Sequence, residues 1–173
     1  GDLRAALCFM VKDAIGQDYT HNRLEALRHR AETAWSNVAG LHILGHRDAH
    51  RVPIFSFTAT AQDGTRIHQQ LVTRMLSDLH GVQARGGCAC AGPYAHRLLG
   101  IDQTQSDAFR AGILAGNEME KPGWTRLGFS PLMTDAKADQ IIKAVIEVTK
   151  SSCAERALYK VDKGTARFSL EAA

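Results

Sequence analysis

The 173-residue chain has no apolar run long enough to span a bilayer, and its first residues lack the charged-then-apolar order of a secretory leader. No membrane association is expected, and a reducing cytoplasm is the expected compartment. Cysteine is scarce. The four present, Cys8, Cys88, Cys90 and Cys153, do not fall at the spacings of a secreted disulfide framework. Cys8 lies inside a helical apolar pattern and is expected to be a small buried side chain. An excess of one charge is missing too. Against 21 Lys and Arg stand 18 Asp and Glu, for a formal net charge of +3. No dense basic stripe with interleaved aromatics occurs, so nucleic acid is not an expected partner. Internal repeats and low-complexity segments are also absent.

Metal and phosphate motifs are incomplete. Cys88 and Cys90 form a Cys-X-Cys pair, but His46, His50, His96 and Cys153 stand at no compact zinc spacing, so no metal is assigned. The loop that holds His46, Asp48 and His50 reads as solvated. Gly86 and Gly87 are not followed by the Lys-Ser/Thr ending of a phosphate-binding loop.

What is present is a chain that is 45% hydrophobic, enough to bury a core. Leu3, Leu7, Met10, Val11 and Ala14 recur at helical spacing over 2–15, and Gly16 ends that run. A second helix is expected over roughly 19–38, with Leu24, Leu27, Ala31, Ala34 and Trp35 on one face. These two helices read as an arm, residues 1–40. Short strands are expected at 41–44, 52–60, 82–85 and 124–129, separated by helices over 66–79, 94–99, 103–116 and 135–150. Thr134 is the expected N-cap of the last helix. The alternation implies a two-layer α/β (α+β) domain over 41–155, a small sheet covered by helices on one face. The remaining 156–173 form a tail with a hairpin signal at Asp162-Lys163-Gly164-Thr165.

Two stretches carry a family resemblance. Arg85-Gly86-Gly87-Cys88-Ala89-Cys90-Ala91-Gly92-Pro93 resembles the cysteine loop of class V aminotransferases and cysteine desulfurases, which use pyridoxal 5'-phosphate. Cys90 stands at the column of the persulfide-forming cysteine. Lys121-Pro122-Gly123-Trp124-Thr125-Arg126-Leu127-Gly128-Phe129 is similar to the late strand on which that family carries the arginine for the substrate α-carboxylate, here Arg126. Cys88 and Ala89 replace the histidines that precede the cysteine in the closest desulfurases. The chain is therefore nearer to the broad class V aminotransferase (selenocysteine lyase-like) members.

The resemblance covers most of 1–155 and implies the C-terminal small domain of a fold type I enzyme. It implies Cys90 as a catalytic thiol and Arg126 and Arg85 as substrate-binding residues for an amino acid. In that family the Schiff-base lysine lies in a large N-terminal domain, so none is assigned here. The cofactor is expected in the longer parent and not on this chain alone, which is expected to be inactive. Family members dimerise, which leaves a homodimer open. The competing reading is a non-catalytic binding or dimerisation module derived from the same domain. A guanidinium suits a carboxylate because its planar fork gives two parallel hydrogen bonds. A thiol suits sulfur transfer only when it is reachable and partly ionised, which nearby Arg85, His96 and Arg97 would favour.

Overall fold

A computed structural model describes residues 1–46, 49–87 and 92–170. Its helices are α1 (Asp2–Ile15), α2 (Gln17–Trp35), α3 (Gln69–His80), α4 (Gly92–Leu99), α5 (Gln103–Leu114), α6 (Asp135–Thr149) and α7 (Cys153–Ala157). Its strands are β1 (Leu41–Ile43), β2 (Ile54–Thr60), β3 (Arg66–Ile67), β4 (Arg85–Gly87), β5 (Trp124–Gly128), β6 (Tyr159–Asp162) and β7 (Arg167–Leu170). The fold is mixed α/β. A small antiparallel sheet runs in the order β1-β2-β5-β4, with β3 also on β2, and β6 pairs with β7 as a separate hairpin.

Strand alternation divides the sheet into two unlike faces. On β2, Phe55, Phe57 and Ala59 are buried, while Ile54, Ser56, Thr58 and Thr60 alternate with them on the other side. Phe55 pairs with Leu127 and Phe57 with Thr125, so those β5 residues share the buried face. Three helices supply the covering layer: Leu27, Ala31 and Trp35 from α2, Leu71, Val72, Met75 and Leu76 from α3, and Ile141, Ile142, Val145 and Val148 from α6.

Trp35 is the hub of this layer. Its indole packs edge-on against Phe55, with ring centroids 5.0 Å apart at 86°, and its Nε1–H donates to the Ile142 carbonyl at 3.2 Å. That bond satisfies the one polar group of a large buried side chain. Charge ties the outer surfaces of the same two helices. Arg23 contacts Asp135 at 2.6 Å, and Arg30 contacts Asp135 and Asp139 at 2.9 and 2.6 Å. Thr134 Oγ1 accepts from Lys137 N at 3.3 Å and caps α6.

Four sequence expectations need correction. First, α2 is not part of a free arm, because its apolar stripe is core. Second, α1 buries nothing. Leu3, Leu7 and Met10 are 84%, 60% and 65% exposed, and Cys8 is exposed rather than buried. Periodicity identifies an apolar face but cannot supply the surface that would cover it. Third, the strand expected at 82–85 is β4 at Arg85–Gly87. Val82 follows the C-cap of α3, and its N–H donates back to Leu76 O at 2.9 Å after Gly81 turns left-handed at φ 64°. Fourth, the helix expected from 66 begins at Gln69, because Arg66 and Ile67 pair with β2.

The different burial of two apolar helices makes a direct contrast. Phe57→Ala is expected to lower unfolding stability by about 3–5 kcal/mol, because a fully buried ring leaves a cavity. Leu7→Ala is expected to change it by less than about 0.5 kcal/mol, as for a surface position. Urea denaturation of both variants checks this; an equal loss would mean that α1 is packed in solution.

Candidate functional site

The site grows from the register of β4 on β5. Arg85 lies directly opposite Arg126, Gly86 opposite Thr125, and Gly87 opposite Trp124. On its other side Arg126 pairs with Ser56 of β2. Thr125 is buried on the core face, so Arg126, Arg85 and Ser56 share the opposite face. The two arginines singled out for substrate are therefore cross-strand neighbours, although they are 41 positions apart in sequence (126 minus 85). Arg126 is half-buried and Arg85 is exposed.

Close backbone packing makes this register possible. A Cβ on Gly86 would lie 2.7 Å from Gln70 Oε1 and 2.9 Å from the Gln69 carbonyl oxygen. A Cβ on Gly123 would lie 2.7 Å from the Gly87 carbonyl carbon and 3.0 Å from Gln69 Nε2. No side chain fits at either place. Gln69 itself is buried and joins the layers: its Nε2 donates to Lys121 O at 3.1 Å, and its backbone carbonyl accepts from Thr125 Oγ1 at 3.3 Å. Arg66 Nη2 donates to Gly123 O at 2.8 Å. Arg66 pairs with Thr60, which places it on the same open face as Arg126.

Sequence reasoning passed over Arg66 and Gln69. A two-residue strand carries no visible period, and a glutamine at a helix start reads as ordinary surface. The same holds for His68, the N-cap of α3, whose Nδ1 accepts from Gln70 N at 3.2 Å. Burial holds the His68 pKa below its ordinary value; the Met119 backbone opposes that shift and the Arg66 charge adds to it. Desolvation also pushes the Arg66 guanidinium down.

Among the described residues, neither Arg85 nor Arg126 has a carboxylate partner. Other arginines do: Arg51 meets Glu32 at 2.5 Å and Arg74 meets Asp78 at 2.7 Å. Cys90, Cys88 and Asp48 lie outside the described residues. His96, named as a possible influence on the Cys90 thiol, has both ring nitrogens engaged, with Gly92 O at 2.7 Å and Ser106 Oγ at 2.9 Å. A hollow of about 440 Å³ opens elsewhere, at the β1 edge, lined by His29, Glu32, Trp35, Leu41, His42 and Arg51. It is separated from Arg126 by the width of β2 and is not the arginine site.

Among the described residues no group of three or more His, Cys, Asp or Glu side chains is placed to hold a metal ion. Among the described residues no helix is long and apolar enough to cross a membrane. Compared with protein-family models and with curated proteins, the chain matches none.

The pH dependence of His68 has a defined sign. Its folded pKa is depressed below 6.5, so the unfolded chain binds the proton more readily. The contribution of neutral His68 is present above pH 6.5 and is lost as pH falls toward the folded value. Asn can cap the same helix without titrating. His68→Asn is expected to flatten the fall in stability as pH drops below 6.5, read by thermal melts across pH; an unchanged slope would remove His68 from that role.

Proposed function

We propose that this chain is the C-terminal small domain of a class V aminotransferase or cysteine desulfurase-like enzyme, acting on an amino acid in a longer parent. The observation that carries the reading is the Arg85–Arg126 pair, without acidic partners among the described residues, on the open sheet face. A half-buried guanidinium on a strand is held in direction by the sheet, which suits it to orient a planar carboxylate. Arg126 binds the substrate α-carboxylate in this reading, Arg85 assists it, and Cys90 is the thiol of the sulfur-transfer variant of the chemistry.

Pyridoxal phosphate supplies the electron sink when bound in such a parent. In this reading its anchoring lysine lies in the large domain and not among these residues. None of β1 to β5 contains a lysine, Lys12 lies on the outlying α1, and Lys121 is ion-paired with Glu118. The chain's own contribution is thus to bind and orient the amino acid, and the cofactor site belongs to the large domain.

One observation favours a second reading, a non-catalytic binding or dimerisation module: the bare apolar stripe of α1. The two readings separate by experiment. Incubation with pyridoxal phosphate and borohydride, followed by intact-mass measurement, is expected to give no stoichiometric lysine adduct on this chain. In the parent, Cys90→Ala is expected to abolish persulfide release if the reaction is desulfuration. A single stoichiometric adduct on the isolated chain would overturn the assignment of the cofactor to a separate large domain. Absence of any amino-acid turnover in the parent would favour the module.

A further inference from the structure

The arginine face asks for more negative charge than one carboxylate provides. Residues directly opposite in an antiparallel pair have Cβ atoms about 4.5–5.5 Å apart, and like charges there repel. Arg85 and Arg126 occupy such a position, and their side chains leave the sheet on the same face. Arg66 lies on that face as well, paired with Thr60. The strand positions around them, Ser56, Thr58, Thr60 and Gly128, carry no charge. No carboxylate among the described residues offsets either member of the pair. A carboxylate held by the two-pronged fork of Arg126 occupies that guanidinium and leaves the donors of Arg85 unmatched.

We infer that the site selects a ligand with two anionic groups, an amino acid whose side chain ends in a second carboxylate. This rests on the reading of Arg126 as the α-carboxylate clamp and adds Arg85 as the residue that determines specificity. Arg126 takes the α-carboxylate and Arg85 takes the side-chain carboxylate, one fork each. The pair then changes from a repulsive cross-strand contact into a doubly neutralised one. Arg66, bound to Gly123 O, holds the start of β5 and adds positive potential without spending its charge on the chain. A ligand with a neutral side chain keeps only the first interaction.

The test uses the chain as it is, with acetate and succinate as probes at low salt, followed through the arginine side-chain N–H signals by NMR titration. Succinate is expected to bind at least about tenfold more tightly than acetate, the scale of one further charge-assisted contact. Arg85→Gln is expected to remove that advantage, leaving succinate no tighter than acetate on the same variant. Arg126→Gln is expected to weaken both probes, and Arg110→Gln on the exposed face of α5 is expected to affect neither. Arg85→Lys, which retains charge but loses the fork, is expected to restore only part of the preference. Equal affinity for the two probes, or a succinate preference that survives Arg85→Gln, would overturn the two-anion site and leave the carboxylate clamp standing. Indifference of both probes to Arg126→Gln would overturn the clamp itself, and the two-anion site with it.

Discussion

Two glycine backbones pressed beneath the Gln69 amide set the arrangement on which the rest depends. At Gly86 and Gly123 there is no room for a Cβ, so β4 and β5 approach each other and the start of α3 without spacers. Gln69 then uses its side-chain amide on Lys121 O and its carbonyl on the Thr125 hydroxyl. Both bonds lie in a part of the fold where an unpaired polar group would be costly. The consequence is geometric. With Gly86 opposite Thr125, Arg85 can only be opposite Arg126, and a slip of one residue would turn Arg126 into the core.

The helices do a different task. Trp35, Phe55, Phe57 and Phe129 form an aromatic cluster between α2 and the sheet, and α3 and α6 fill the remainder of the covered face. With that face closed, the other one holds the strand side chains that do not enter this core. There the residues are small or polar apart from the exposed Ile54 and from Trp124, whose ring is itself buried, and the charges are arginines. The sheet therefore separates a packing face from the face that carries Arg85 and Arg126. The hairpin β6–β7 extends this scaffold at α3, where Tyr159 and Phe168 meet the core.

Several of these features were legible in the sequence because they rest on local patterns. The alternation of Phe55, Phe57 and Ala59 announces a half-buried strand, and the spacing of Ala138, Ile141, Ile142, Val145 and Val148 announces α6 with Thr134 as its cap. Other features depend on contacts distant in sequence. Arg85-Gly86-Gly87 has almost no side chains with which to advertise a strand, and glycine is a poor strand former. Its pairing with β5 appears only when α3 brings Gln69 above it. Helical spacing in α1 and α2 looks the same in sequence, yet one stripe is core and the other is bare. Arg126 and Arg85 were both visible as strand arginines, whereas their facing each other across the ladder was not, because register is a property of the folded sheet.

The central claim is that the open face carrying Arg126 is where an amino acid is held. The most direct measurement is residue-by-residue arginine modification by phenylglyoxal, read by mass spectrometry, in the cofactor-loaded parent enzyme that the proposed function calls for. It is run with and without saturating L-cysteine, L-alanine or L-aspartate. The account predicts that at least one of these protects Arg126 while Arg110 and Arg97 continue to react. Modification of Arg126 at an unchanged rate with every amino acid, in an enzyme that binds them, would contradict it.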